Sequence, residues 1–121
     1  MNPAQALTAT LDELRDWLAG EDGWVDHTTC PDGWDSRPWK NHTTKASSQD
    51  HPHPPTLDGA AKALPEGWEW SRANGVWHGW HDLCTKACGC VEPSTDDTGD
   101  EIADRYRLAV LCRIAAKEAS K

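Results

Sequence analysis

The segment GWEWSRANGVWHGWHDL, residues 67–83, predicts the centre of the fold. Its Asn74-Gly75 pair suits a two-residue type I′ turn, because both central positions of that turn take a positive φ. Strand-forming aromatic and β-branched residues stand on both sides of the pair. A two-residue turn also sets the register of the hairpin. The predicted cross-strand partners are Ala73 with Val76, Arg72 with Trp77, Trp70 with Gly79, and Trp68 with His81.

Side chains alternate between the two faces of such a hairpin. The face predicted to point to the core carries Trp68, Trp70, Arg72, Trp77, Gly79 and His81. The missing side chain at Gly79 is expected to leave space for the indole of Trp70 across the hairpin. The other face carries Glu69, Ser71, Ala73, Val76, His78 and Trp80. On this more polar face Trp80, beside His78 and Val76, is a candidate anchor of an interface, unless the long loop before the hairpin covers it.

Histidines and cysteines cluster in HGWHDLCTKACGC, residues 78–90, and raise the question of a metal site. His78 and His81 are an odd number of positions apart, so in a regular strand they point to opposite faces and cannot bind one ion together. Without His78, the candidate ligands are one histidine and three cysteines: His81, Cys84, Cys88 and Cys90. Four nitrogen and sulfur ligands are what a tetrahedral structural zinc requires, although this spacing is not one of the common Cys-x2-Cys pairs.

Other interpretations of the cysteines stay open. Residues 89–92 can form a third strand, with Cys88 before it, Cys90 within it, or both as small buried hydrophobic side chains. Two of the cysteines can instead form a disulfide. Either Cys30 or Cys112 could supply a ligand from elsewhere in the chain. A catalytic cysteine with a histidine base is disfavoured, because no turn or motif around the cysteines positions a nucleophile.

Three helices are predicted around the hairpin. The first carries an apolar stripe at spacings of three and four, formed by Leu7, Leu11, Leu14, Trp17 and Leu18. Thr10 can cap it, Glu13 completes a capping box, and Gly20 offers a stop. A short helix follows Thr56 and ends at residues 65–67, while the longest helix runs from about Gly99 to Ala119. The carboxylates of STDDTGDE, residues 94–101, are interpreted as favourable charges at the start of that helix.

The C-terminal helix carries two apolar stripes. The first consists of Ile102, Tyr106, Leu108, Ala109, Cys112 and Ala116, and the second of Ala103, Val110 and Ile114. One sheet face cannot cover both stripes, so the N-terminal helix is expected to pack on the second. The alternative is a partner subunit, which would make the protein a homo-oligomer through this helix and not a monomer.

Residues 21–55 are rich in Gly, Pro, Asp, Thr and Ser, which predicts a long loop. Three indoles, those of Trp24, Trp34 and Trp39, are expected to pin it to the core. A short hairpin is possible around the turn signal Pro31-Asp32-Gly33. The HPHPP run at residues 51–55 predicts a stiff, extended spacer, and its two histidines are only a weak signal of metal binding.

These elements predict an α+β fold: a small antiparallel three-stranded sheet packed against helices, with a long C-terminal helix. All 121 residues are expected to form a single domain. Its parts are an N-terminal helix at 1–20, the Trp-pinned loop at 21–55, and an αβββα core at 56–119.

The composition narrows the range of functions. Twenty acidic and twelve basic residues give a formal net charge of −8, which disfavours direct contact with nucleic acid or anionic lipid. Such a charge suits a basic partner, even the groove of a nucleic-acid-binding protein, although it also simply favours solubility. The chain lacks a run of about eighteen apolar residues and a secretion signal at its start, and its five cysteines are an odd number. A cytoplasmic protein with reduced thiols is the expectation.

Two segments, TLDGAAKALPEGWEWSRANGVWHGWHDL and TGDEIADRYRLAVLCRIAAKEA, resemble small proteins of tailed phages and prophages. In those proteins a helix, a Gly-Trp hairpin, a third strand and an Ala-rich helix form the phage α/β/α sandwich domain. The resemblance covers about residues 56–119 and rests on packing residues: Leu64, Pro65, Gly67, Trp68, Trp70, Ala109, Leu111 and Ala115. The cysteine cluster at 84–90 departs from the pattern.

The resemblance implies no catalytic residue. It implies a small accessory protein that binds a host or phage protein in the bacterial cytoplasm, such as an inhibitor of host defence. The second hypothesis is a domain built around the zinc ligands named above.

Overall fold

A computed structural model describes residues 1–26, 38–81 and 93–119 of the chain. The elements within them are the helices α1 Pro3–Thr8, α2 Leu11–Glu21, α3 Leu57–Ala63 and α4 Glu101–Ala119, and the strands β1 Trp24–Asp26, β2 Trp39–Asn41, β3 Ser47–Ser48, β4 Trp68–Ala73, β5 Val76–His81 and β6 Ser94–Asp96. The strands form two antiparallel sheets, in the orders β1-β2-β3 and β4-β5-β6. The predicted α+β class with a long C-terminal helix is confirmed, and the second small sheet is an addition to it.

The central hairpin has the predicted register at every pair, from Ala73 opposite Val76 to Trp68 opposite His81. Asn74 and Gly75 have φ values of 54° and 75°, as a type I′ turn requires. The local signal of two residues therefore sets the pairing of β4 and β5 and places Trp68 and Trp77 in the core as predicted. The prediction that Arg72 faces the core is wrong, since this side chain is 51% exposed, and the side chain of His81 lies outside the described part of the chain.

The core side of the hairpin packs on α4. Trp68 and Trp77 are 8% and 3% exposed and lie in one cluster with the buried residues Leu108, Cys112 and Ala115. The prediction that Gly79 makes room for Trp70 is wrong. A Cβ at Gly79 would collide with the Sγ of Cys112, so the thiol fills that space, whereas Trp70 is half-buried and makes an edge contact with Trp77 at 6.4 Å between ring centroids.

The third strand of this sheet is β6, whose three residues pair with Val76, Trp77 and His78. The interpretation of residues 94–96 as part of a helix start is therefore wrong. Thr95 lies opposite Trp77 and is 6% exposed, so pairing with β5 and burial of a β-branched residue outweigh the polar local sequence. The alternative third strand at residues 89–92 lies outside the described residues.

Helix α4 begins at Glu101, close to the predicted start, and Asp100 caps it by accepting the N–H of Ala103 at 3.1 Å. The connection from β6 is held by the fully buried Asp104, which accepts both the N–H and the hydroxyl of Thr98 at 2.9 and 2.6 Å. These bonds place the short strand and the long helix in a fixed relation.

The other side of α4 is covered by the remaining helices, as predicted for Val110 and Ile114 of the second apolar stripe. The predicted division into stripes is partly wrong, because Tyr106 and Ala109 of the first stripe also pack on these helices and not on the sheet. One buried cluster joins α1, α2 and α3 to α4 and consists of Ala6, Ala9, Leu14, Leu18, Ala60, Ala63, Tyr106, Ala109, Val110, Leu111 and Ile114. Helix α4 is therefore buried between a sheet and a helical layer.

The N-terminal region forms two helices and not one. Thr10 leaves the helical conformation (φ −74°, ψ 164°) to cap α2 in the predicted capping box with Glu13, and this ends α1. Leu7, predicted in the apolar stripe, consequently lies in α1 and is 51% exposed. The predicted stop at Gly20 is also wrong, because α2 runs to Glu21 and the chain turns at Gly23, which has a φ of 89°.

Part of the predicted loop is ordered as a sheet. The strands β1 and β2 pair from Trp24 opposite Asn41 to Asp26 opposite Trp39, as the predicted hairpin between residues 24 and 39 requires. Its turn signal at residues 31–33 and Trp34 lie outside the described residues. No helix in the described part of the chain is long and apolar enough to cross a membrane.

Candidate interaction surface

The side of the sheet β4-β5-β6 that points away from α4 is here called the outer face. The observed registers place eight residues on it: Glu69, Ser71, Ala73, Val76, His78, Trp80, Ser94 and Asp96. The three residues predicted as an interaction site, Val76, His78 and Trp80, are its central row along β5. At about 3.3 Å per residue, this row is roughly 13 Å long.

The outer face combines a small apolar surface with a polar surround. Val76 and Trp80 are half-buried, while the other six residues of the face are exposed. Trp80 lies directly opposite Glu69, and Val76 lies between Ala73 and Asp96. An indole at one end of the row and a carboxylate beside each apolar residue give a surface that can bury apolar area and also attract cations.

The predicted alternative, that the loop before the hairpin covers Trp80, concerns residues 21–55. The described portions of that loop contact other elements: β1 contacts α2, and residues 51–54 contact α2 and α4. The outer face and the helical layer thus lie on opposite sides of the hairpin.

Negative charge dominates the outer face. Glu69 and Asp96 are its charged residues, and no lysine or arginine is among its eight members. The five arginines of the described residues lie within 2.6–3.4 Å of carboxylates of the same chain, in the pairs Arg15–Asp12, Arg72–Asp97, Arg105–Glu101, Arg107–Asp104 and Arg113–Asp22. Each of these five arginines is thus balanced by a carboxylate of the same chain, and none of them is among the eight residues of the outer face.

The zinc hypothesis falls mostly outside the described residues, since Cys84, Cys88 and Cys90 belong to residues 82–92. His81 is the last residue of β5 and lies opposite Trp68 in the register, but its side chain is outside the described part of the chain, so the opposite orientation of His78 and His81 stays a prediction. Among the residues at 1–26, 38–81 and 93–119, no three His, Cys, Asp or Glu side chains form a group that could hold a metal ion. A zinc ion on His81 and the three cysteines stays a prediction, which elemental analysis of the purified protein would test.

The two remaining cysteines differ in position. Cys30 lies outside the described residues, whereas Cys112 is fully buried against Gly79. Burial raises the pKa of the Cys112 thiol to about 12. A thiol that is neutral at ordinary pH and enclosed by the core acts as a packing group against Gly79. A role for Cys112 as a distant zinc ligand stays a prediction, because Cys84, Cys88 and Cys90 lie outside the described residues.

A polar cluster forms around His51 and His53, within the HPHPP run whose composition predicts only an extended spacer. The Nε2 of His53 lies 2.9 Å from an oxygen of Asp22, and the same carboxylate accepts from Arg113 at 2.6 Å. Arg15 donates to the carbonyl of His53 at 2.6 Å, and Tyr106 donates to the carbonyl of Pro54. The segment is thus fastened to α2 and α4.

The chemistry of these histidines is structural. His51 places Nε2 2.9 Å from Asp16 and accepts the N–H of His53 at Nδ1 at 3.0 Å, so both of its ring nitrogens are engaged. His53 is only 7% exposed, and burial lowers its pKa. The two histidines between prolines are a signal of polar contacts with carboxylates elsewhere in the chain. Their partners, Asp16 and Asp22, could not be identified from the neighbouring sequence, because they lie 35 and 31 positions away.

Comparisons with protein-family models, with curated proteins and with solved structures found no match for this chain.

Proposed function

We propose that this protein is an acidic protein-interaction module that binds a basic surface of another protein through its outer face, with Trp80 as the anchor. The observation that supports this most is the row of Val76, His78 and Trp80 along one strand, with Glu69 and Asp96 beside it.

The anchor supplies the affinity. Indoles are over-represented among the few residues that dominate protein–protein binding, and truncating such a residue costs about 2 kcal/mol or more. The strand that carries Trp80 is held on its other side by the buried indole of Trp77 and by α4. Little conformational entropy is lost when a partner binds a surface that is already rigid.

The charge supplies selectivity and speed. A net charge of −8 attracts a basic partner over long distances and repels nucleic acid and anionic lipid. Association should therefore slow as salt is added, because ions screen exposed charges beyond about 10 Å at 0.1 M ionic strength.

The origin and role implied by the sequence resemblance belong to this proposal. A phage accessory protein that inhibits a host protein, including a defence protein, needs a surface that competes for an existing binding site. An acidic face with an indole anchor suits a basic groove that normally holds nucleic acid, since its carboxylates can take the place of phosphates.

The test uses the tagged full-length chain to capture proteins from a bacterial lysate, with Trp80→Ala and Leu7→Ala prepared in parallel. Leu7 is 51% exposed on α1, so its variant controls for loss of an apolar side chain away from the outer face. We expect a captured protein whose affinity, measured by calorimetry, falls about 30-fold with Trp80→Ala and stays unchanged with Leu7→Ala. Equal binding by both variants, or binding that does not weaken with salt, would contradict the proposal.

A further inference from the structure

The outer edge of β4 is a second feature of the same sheet. In the order β4-β5-β6, β4 is an edge strand, and it is six residues long. Each backbone group on the open side of an edge strand can pair with another extended chain.

The hairpin register shows which groups those are. With a two-residue turn, Ala73 and Val76 exchange hydrogen bonds, and such pairs alternate with pairs that exchange none. Trp70 with Gly79 and Arg72 with Trp77 are therefore non-hydrogen-bonded pairs. The N–H of Gly79 agrees with this, because it donates away from β4, to the carbonyl of Pro93 at 2.9 Å.

The N–H and C=O groups of Trp70 and Arg72 consequently point away from β5, across the open edge. Among the described residues these groups have no backbone partner. The strand WEWSRA contains no proline and its pairing with β5 has no bulge, so Glu69 and Arg72 are the edge protections that it carries.

We propose that an extended segment of the partner protein adds to the sheet along β4, with basic residues at every second position. This inference rests on the proposed function and names how the partner is held. On the outer face such a segment would run beside Glu69, Ser71 and Ala73, which are acidic or short and leave room for long cationic side chains. On the other face it would run beside the half-buried indole of Trp70, whose ring centroid lies 5.2 Å from the guanidinium carbon of Arg105, and beside Arg72, which is paired with Asp97. Apolar residues between the basic ones suit this face, because its cations are already engaged.

A second copy of this chain fits the edge less well. Each copy carries a net charge of −8, and pairing two β4 strands would bring two outer faces of the same sign into one sheet. Charge complementarity therefore favours a basic segment over self-association.

The test compares Arg72→Pro with Arg72→Ala. Proline removes the N–H of residue 72, which points outward, and leaves the hydrogen bonds between β4 and β5 in place. Both substitutions remove the guanidinium group, but alanine keeps the backbone N–H. The difference in affinity between the two variants therefore measures the contribution of that N–H to binding. The probe is a capped eight-residue peptide of alternating Lys and Val, with an alternating Glu and Val peptide as its control.

We expect the Lys-Val peptide to bind and to slow amide hydrogen exchange at Trp70 and Arg72, whereas the Glu-Val peptide does neither. Arg72→Pro should weaken binding about tenfold relative to Arg72→Ala, because one carbonyl of the peptide loses its donor. Equal binding by the two variants, or unchanged exchange at Trp70 and Arg72 in the wild-type protein, would overturn the proposal. The exchange measurement decides the question even if Arg72→Pro does not fold.

Other outcomes separate this inference from the proposed function. If Trp80→Ala abolishes capture of a protein and Arg72→Pro binds that protein as Arg72→Ala does, the outer face is the interface and edge pairing is refuted. If sedimentation shows a dimer that Arg72→Pro converts to a monomer, a second copy occupies the edge and the basic segment is refuted.

Discussion

Replacing Gly79 by alanine tests the packing of the hairpin on α4, which holds the strands that carry the outer face. The added Cβ would collide with the Sγ of Cys112 and would make ordinary contacts with Pro93 and Leu108, at 3.5 and 3.6 Å. Both Gly79 and Cys112 lie in secondary structure in the buried core, so neither backbone can move away without disturbing its neighbours.

The size of the effect follows from two opposing contributions. Overpacking a core costs about 1–3 kcal/mol, and replacing glycine within a strand gains about 0.5–1 kcal/mol of conformational entropy. We expect Gly79→Ala to lower the free energy of unfolding by about 1–2 kcal/mol. Cys112→Ala removes the opposing sulfur, so the double variant should recover about 1 kcal/mol or more relative to the sum of the two single changes.

The assay is urea unfolding followed by indole fluorescence, which reports on the buried Trp68 and Trp77. Gly20→Ala is the matched control, because Gly20 lies inside α2 with nothing within 4 Å of an added Cβ. That variant should gain about 0.5–1 kcal/mol. Wild-type stability for Gly79→Ala, or a double variant whose losses simply add, would refute the contact between β5 and α4.

The remaining predictions concern the turn and the buried histidine. Asn74→Ala should lower the free energy of unfolding by about 1 kcal/mol, because alanine disfavours the φ of 54° found there. Asn74→Gly should lower it less. Equal urea midpoints for the two variants would contradict the turn assignment. Burial lowers the pKa of His53, so the unfolded chain binds a proton at this imidazole at a higher pH than the folded chain does. The free energy of unfolding should therefore fall as the pH drops below about 6.5, and this histidine should not change it above that pH. Between pH 5 and pH 8, the free energy of unfolding should fall less steeply for His53→Gln than for the wild type. The same pH dependence in both proteins would show that protonation of His53 does not destabilise the fold.

Local signals predicted the parts of the fold that depend on neighbours in sequence. Asn74-Gly75 specifies a turn, the turn specifies the register, and the register assigns the faces, so the row of Val76, His78 and Trp80 could be predicted without coordinates. The cap at Thr10 is equally local.

Features that depend on distant residues could not be predicted in this way. The strand β6 has a polar sequence and exists because β5 pairs with it, and the space at Gly79 is filled by a thiol 33 positions later. Arg113 and Asp22, which are 91 positions apart, form the ion pair beside His53. Long-range contacts of this kind decide which charges are engaged inside the protein and which remain on its surface.

The most direct test of the interaction surface is amide hydrogen exchange of the complex with the captured protein, compared with the free chain. We predict slower exchange on binding at residues 69–80 and 94–96, and unchanged exchange in α1, whose exposed Leu7 lies away from the outer face. Protection confined to the helices, with the sheet β4-β5-β6 exchanging as in the free chain, would contradict the outer face as the binding surface.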